Sequence, residues 1–220
     1  GPDLVEPGQS LKAEEEFETN SWLLTTAVRE VGAIGYRVHS IPDDEEELLG
    51  VIEDQLVRAD LIVISGERND DSFDLITRTL QKMGEIKTVD LAIENSGRHN
   101  FGQIGPDKTP VVTLPGDPIN AYISFELFVR PMIRTMLGVA TIHRPSVKAK
   151  LEKSITSTPG TRSYIRAILS EDASSVRALE IQDEISTLSD ANSFIALSEK
   201  DEKIEAGTSV NVVVLERRYI

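Results

Sequence analysis

Apolar residues at Trp22, Leu23, Ala27, Val28 and Val31 recur at helical spacing. Thr19 or Asn20 can cap that segment and Gly32 supplies its stop, so a helix is expected here. Tyr36 to Ile41 then reads as a strand. Pro42-Asp43-Asp44 restarts the chain with carboxylates where a helix macrodipole favours them, and Leu48, Leu49, Ile52, Leu56 and Val57 supply the apolar face behind them. Leu61 to Ile64 is too apolar for a half-exposed strand and fits a buried parallel one. Ser65-Gly66 ends it in a loop, and Phe73 to Met83 forms the next helix. That alternation is the pattern of a doubly wound α/β sheet.

Ile86 to Ile93 and Pro110 to Leu114 continue the strands, and Pro115-Gly116-Asp117-Pro118 makes a strand-to-helix turn. The helix after it carries Ala121, Ile123, Phe125, Leu127, Phe128, Met132 and Met136 before Gly138. Beyond Pro145 the texture changes to short alternating segments: Val147 to Leu151, Tyr164 to Leu169, Ser175 to Leu179, Phe194 to Leu197 and Val210 to Leu215. These predict a small β-barrel or sandwich. The chain therefore divides into a linker or edge segment (1–17), an α/β domain (18–143) and a C-terminal β-barrel-like domain (144–220).

Composition narrows the chemistry. The 220 residues hold 23 Lys and Arg against 37 Asp and Glu, a formal charge of −14, with three His and no Cys. The absence of cysteine excludes a disulfide framework, a zinc ribbon and a thiolate nucleophile. A pI near 4.7 opposes binding to a phosphate backbone or an anionic leaflet, so nucleic acid and bare lipid are poor partners and a basic peptide or a cation is a better one. No apolar run approaches the roughly 18 to 20 residues of a membrane span, and no signal peptide opens the chain, so a cytoplasmic location is expected. The opening Gly1-Pro2-Asp3 reads as a fragment or as a product of tag cleavage.

In open α/β sheets ligands sit at the carboxyl ends of strands, where helix N-termini offer free N–H groups. Two strand-to-helix loops qualify, Ser65 to Asp74 and Leu114 to Asn120. The second, Leu-Pro-Gly-Asp-Pro-Ile-Asn, could cradle an anion or be an ordinary turn capped by Asp117. In the first, Glu67, Asp70, Asp71 and Asp74 could hold a hard cation such as Mg²⁺ or form a solvated polar loop. His39, His99 and His143 stand in no hydrolase signature and read as surface or structural residues. Arg68, Arg98, Arg130, Arg134 and Lys87 could form a basic spot, although Arg130 and Arg134 also fit a solvated i,i+4 helix face.

Several stretches together resemble the molybdopterin molybdenumtransferases, meaning bacterial MoeA and the E domain of gephyrin. They are Leu4-Val5-Glu6-Pro7-Gly8-Gln9-Ser10-Leu11, Thr19-Asn20, Ile41-Pro42-Asp43-Asp44, Ala59-Asp60 through Ser65-Gly66, Leu114-Pro115-Gly116-Asp117-Pro118, and Phe125 to Pro131. Thr158-Pro159-Gly160-Thr161-Arg162 and Glu205-Ala206-Gly207 extend the resemblance through the small domain. It implies a three-layer MoaB/MogA-like molybdopterin-binding domain, a MoeA domain IV-like barrel, a homodimer, and N-terminal domains missing from this chain. The implied reaction inserts molybdenum from molybdate into adenylylated molybdopterin with Mg²⁺ and releases AMP. Ser65, Gly66, Arg98, Pro115, Gly116, Asp117 and Asn120 would meet substrate anions, and Asp74 would be the catalytic or metal-binding carboxylate.

This chain departs from the family pattern at those same places. In the Ser-Gly-Gly-x-Ser-x-Gly loop, Glu67, Asn69 and Asp71 replace the second glycine, the serine and the third glycine. Glu94-Asn95-Ser96-Gly97-Arg98 stands where the family has Lys/Gln-Pro-Gly-Lys-Pro, leaving Arg98 as the nearby cation. Asp117 replaces an asparagine, Asn120 a serine, Ser21 an arginine and Asp3 a glutamate. A carboxylate facing a phosphate at an effective dielectric of about 20 costs on the order of a few kcal/mol at contact. The substitutions therefore favour a gephyrin-like dimeric adaptor that has lost molybdenum insertion and holds a peptide of a protein partner, for example a cytoskeletal or division protein such as FtsZ. The alternative is a divergent but active molybdenumtransferase. For the adaptor, a partner groove is expected near the domain junction, around Phe128, Pro131, Met132, Pro145, Tyr164, Phe194 and Tyr219.

Overall fold

Helix formation follows the apolar spacing closely. Helix α1 spans Asn20–Val31 and ends at Gly32; α2 spans Glu45–Leu56, with Asp44 accepting from the backbone N–H of Glu46 and Glu47 as its cap. A computed structural model describes residues 4–13, 15–38, 42–67, 70–180, 182 and 184–215, the side chain of Glu67 excepted. Expectations placed on residues 1–3, His39, Ile41, Arg68, Asn69 and Tyr219 lie outside that set.

The chain forms two compact units, one running to Leu91 and again over Arg98–Gly138, the other made of Ala92–Gly97 and the residues from Val139 onward. In the first unit, β1 (Leu4–Val5) pairs with β2 (Glu16–Phe17). A four-stranded sheet follows, with β3 (Ile62–Glu67), β6 (Thr109–Pro115), β5 (Arg98–Ile104) and β4 (Gly84–Asp90) in that spatial order. The sheet is mixed. β3 and β6 run parallel, as the apolar run 61–64 predicts, while β5 is antiparallel to both β6 and β4.

Helices cover both faces of this sheet, in the three layers expected. Leu48 and Ile52 of α2, with Ile76 and Leu80 of α3 (Asp70–Met83), pack on Ile62, Ile64, Ile104 and Val111. On the other face Leu24 and Ala27 of α1 meet Val112, Leu114, Ala121, Phe125, Val129 and Ile133. Successive β6 residues thus feed opposite cores, the period-two alternation of a strand buried on both sides. The expected single helix after Pro118 is α4 (Pro118–Ser124) and α5 (Arg130–Met136) joined by a π turn over Phe125–Val129. Pro131 lacks an N–H and its ring crowds the carbonyl four residues back, so the ladder widens there and Arg130 N–H bonds Phe125 O.

Three expectations need correction. The strand over Tyr36 to Ile41 is absent from its described part: Ile34, Tyr36 and Val38 are exposed, while Arg37 stacks on Trp22 at 3.8 Å and bonds Glu6 and Ser21. The strand predicted to Ile93 stops at Asp90, because Ala92–Gly97 pairs elsewhere: Arg162 N–H bonds Ala92 O and Glu94 N–H bonds Arg162 O. Strand β5 has no counterpart in the sequence reading, since its polar Arg98-His99-Asn100 start masks the strand pattern.

The second unit is a closed five-stranded barrel, which resolves the choice between barrel and sandwich. Its strands are β7 (Ser146–Leu151), β9 (Ser163–Leu169), β10 (Ser175–Ala178), β11 (Ser193–Leu197) and β13 (Ser209–Val214), around a core of Leu151, Leu169, Ile195, Leu197 and Val212. The short strands β8 (Ile155–Thr156) and β12 (Lys203–Ile204) pair beside it, and α6 (Thr187–Asp190) is a single turn. Among the described residues no helix is long and apolar enough to cross a membrane.

Two measurements check this architecture. A Cβ on Gly102 would lie 2.0 Å from the backbone oxygen of Glu85 on the neighbouring strand, so Gly102→Ala should cost about 2 to 3 kcal/mol in urea unfolding, as overpacking does. In the β9–β10 loop, the hydroxyls of Ser170 and Ser174 and the backbone N–H of Ser174 hold the Asp172 carboxyl at a pKa of about 2, below its usual 3.8. A depressed folded-state pKa stabilises above the unfolded value and that stabilisation is lost as pH falls toward the folded one. The gap in urea midpoint between the native protein and Asp172→Ala should therefore hold above pH 3.8 and close toward pH 2.

Candidate functional site

Parallel pairing of β3 with β6 sets their carboxyl ends side by side, and β5, antiparallel to β6, begins at the same end. Four of the expected stretches therefore converge at one edge of the sheet: Ser65-Gly66, Asp74, Arg98 and the Pro115 to Asn120 turn. At the end of β3 the register jumps, with Ser65 opposite Leu114 and Glu67 opposite Pro115. The extra residue is Gly66 at φ +121°, a left-handed conformation that a side chain would strain. The first turn of α3 carries Asp70 and Asp71.

Across from it, Asp117 caps α4. Its Oδ1 accepts from the Asn120 backbone N–H at 2.9 Å and from Asn120 Nδ2 at 2.8 Å. Gly116 is tied from another element, its carbonyl accepting from Asn20 Nδ2 at 2.8 Å. Asn20, the first residue of α1, is itself buried, and its Oδ1 has no hydrogen-bond partner among the described residues. A buried acceptor without a donor is costly in a native fold, on the order of 1 to 3 kcal/mol, and marks a place where a ligand N–H or O–H would be welcome. Glu18, just ahead of α1, accepts from the Ser21 backbone N–H at 2.9 Å and from the Ser21 hydroxyl, which fixes the helix start.

Arg98 is the one expected cation that the fold brings to this edge among the described residues. Its guanidinium lies 4.1 Å from the centre of the Phe73 ring, pairs with Asp70, and reaches Asp74 at 3.6 Å. The side chains of Arg98, Asp70 and Asp74 are 38, 91 and 54 % exposed. Ion pairs this open are worth roughly 0 to 1 kcal/mol, so an incoming anion can displace the carboxylates.

Several expectations are corrected by this geometry. Among the described residues the first-loop carboxylates form no metal-binding group. Asp70 and Asp74 face Arg98, the Glu67 side chain is outside the described set, and no group of three or more His, Asp or Glu converges among the described residues. Asp74 is engaged here as an ion-pair partner of Arg98. Arg130 does not lie on a solvated face: it is buried, its Nε 3.6 Å from Glu126 Oε2. His99 is fully buried, with Nδ1 2.8 Å from Thr113 O and its ring among Phe101 and Phe128, while His143 is exposed.

The partner-groove residues also part company. Pro131 is buried in the helix behind the π turn and Phe194 is only 2 % exposed, so neither presents a surface to a peptide. Phe128 stands edge-on to the His99 and Phe101 rings at 5.8 and 5.7 Å, and Tyr164 is half-buried on β9. Apolar residues at helix or strand spacing serve the core far more often than a docking face.

Known proteins resemble this chain in sequence and fold. Residues 7–135 match the family described as probable molybdopterin binding domain, and residues 148–215 match the MoeA C-terminal region, domain IV. Molybdopterin molybdenumtransferase 1 of Mycobacterium tuberculosis is 32% identical over 98% of this chain and 53% of its own length; molybdopterin molybdenumtransferase 2 of the same organism is 30% identical over 96% and 54%. The crystal structure of the molybdopterin biosynthesis MoeA protein of Pyrococcus horikoshii superposes with a TM-score of 0.82 at 26% identity, over 97% of this chain and 52% of that one. The chain spans about half the length of the curated relatives it matches. With its first unit matched by the one family and its barrel by the other, the chain belongs to the MoeA family of molybdopterin-binding proteins.

Proposed function

We propose that this chain carries the pterin-binding end of a molybdopterin molybdenumtransferase, a protein that places molybdenum from molybdate on adenylylated molybdopterin. The observation that supports this reading is the convergence of Gly66, Arg98, the Gly116 turn and the orphan acceptor of Asn20 at one edge of the sheet. A pterin ring offers N–H donors that match Asn20 Oδ1. A phosphate offers charge that matches Arg98.

In this reading Arg98 leaves Asp70 and Asp74 to take a phosphate oxygen, and Phe73 keeps its guanidinium plane oriented meanwhile. Asn20 holds the Gly116 carbonyl so that the turn stays open to the ligand. Asp117 caps α4 and also repels an approaching anion, which tunes affinity downward. The adaptor reading rests on the three substituted motifs, the 65–74 loop, Glu94 to Arg98 and the Asp117 turn. Side chains and negative charge at 67 and 71 weaken an anion cradle without removing Arg98 or the Gly116 turn, so the substitutions fit reduced affinity as well as lost activity.

Titration of adenylylated molybdopterin into the purified chain should give micromolar binding, and Arg98→Ala should weaken it about tenfold, the equivalent of about 1.4 kcal/mol. Absence of heat at about 100 μM ligand would overturn the reading and return the adaptor to first place. Asp117→Asn keeps an acceptor at the cap while removing the charge, so it should leave the melting temperature unchanged and tighten binding about threefold at low salt. Unchanged affinity in that variant would show that Asp117 does not face the anion.

A further inference from the structure

Buried hydrogen bonds behind the site converge on one side chain, Asn100, which is fully buried on the face of β5 turned toward α3. Its Oδ1 accepts from Thr88 Oγ1 on β4 at 2.6 Å, its Nδ2 donates to Thr77 Oγ1 on α3 at 2.8 Å, and its backbone N–H donates to Thr113 Oγ1 on β6 at 2.8 Å. Thr77 Oγ1 also donates to Phe73 O at 2.8 Å. A hydroxyl that has given its proton away can only accept, so the amide nitrogen must be the atom that faces it.

One residue thereby links the three elements that carry the site. It follows Arg98 on β5 by two positions; Thr77 lies one helical turn beyond Asp74; Thr113 precedes the Leu114-Pro115-Gly116-Asp117 turn. Beside the apolar packing of Ile76 and Leu80 on Ile104, the junction of β5 with α3 thus has two polar holds. The outer hold is the exposed pairing of Arg98 with Asp70 and Asp74, and the inner one is the buried bond from Asn100 to Thr77. Only the outer hold is given up when Arg98 turns to an anionic ligand.

We propose that Asn100 is a positioning residue, an inner latch that keeps Asp74 and the first turns of α3 against β5 while Arg98 exchanges its carboxylates for a ligand phosphate. This rests on the reading of the site given above. The latch accounts for a polar residue in the buried start of the strand: an apolar residue at 100 would leave the exchangeable pair as the polar hold beside the apolar packing of Phe73 and Ile76.

Hydrogen exchange at the Asp74 to Thr77 amides of the full chain tests it, with Val212 in the barrel as internal reference. Arg98→Ala and Asn100→Leu should each speed exchange less than threefold, because either hold suffices, and the double variant should speed it more than thirtyfold. Thr77→Val in the Arg98→Ala background should repeat the double-variant effect and serves if Asn100→Leu does not fold; Thr77→Ser, which keeps the hydroxyl, should restore slow exchange. Additive effects, or equal exchange in the Val and Ser variants, would overturn the latch. Failure of the native chain to bind adenylylated molybdopterin would instead remove the ligand, and with it the positioning role, whatever the exchange data show.

Discussion

The pairing of β6 with a parallel strand on one side and an antiparallel strand on the other is the constraint from which the site follows. Parallel β3 delivers its carboxyl end to the edge where β6 ends, and antiparallel β5 delivers its amino end there. Two strand-to-helix loops and one arginine thus meet without any of them being close in sequence. The same strand anchors both cores, with Val111 facing one helical layer and Val112 and Leu114 the other. Burial of such side chains is worth roughly 1.5 to 3 kcal/mol each, so β6 is costly to displace and the edge it defines is rigid.

On that edge the electrostatics are modest and local. The chain carries a formal charge of −14, yet the candidate anion site has one cation, Arg98, among the described residues. Arg98 is kept soluble and oriented by carboxylates that bind it weakly and by a ring beneath it. A weak internal partner is useful here, because a buried ion pair would have to be broken at a cost of several kcal/mol before any ligand could enter. Glu126 and Arg130 form such a buried pair, and they lie within the helix beside the π turn rather than at the edge.

Much of this was legible from residue pattern. The spacing of Leu48, Ile52 and the Asp44 cap, the apolar run at 61–64, and the five alternating segments after Pro145 each correspond to an observed element, because burial of one face imposes a period that sequence records directly. The loop residues Ser65, Gly66, Pro115, Gly116 and Asp117 were also legible, through resemblance and through the turn chemistry of glycine and proline. Strand β5 was not, because its buried positions His99 and Asn100 are polar residues satisfied by Thr113, Thr77 and Thr88. Likewise Pro131 and Phe194 read as surface candidates, although packing places both in the interior.

Sequence by itself determined most of the elements, the two-part layout and the family, since these depend on local periodicity and on short motifs that survive substitution. Tertiary structure alone decided which charges meet. The start of β5 brings Arg98 to Asp70 and Asp74, which the sequence left open between a cation site and a solvated loop, and Asn20, one of two candidate caps, bonds Gly116 96 residues away. Long-range partners of polar groups leave no period in the chain, because a hydrogen bond constrains two atoms and not the residues between them.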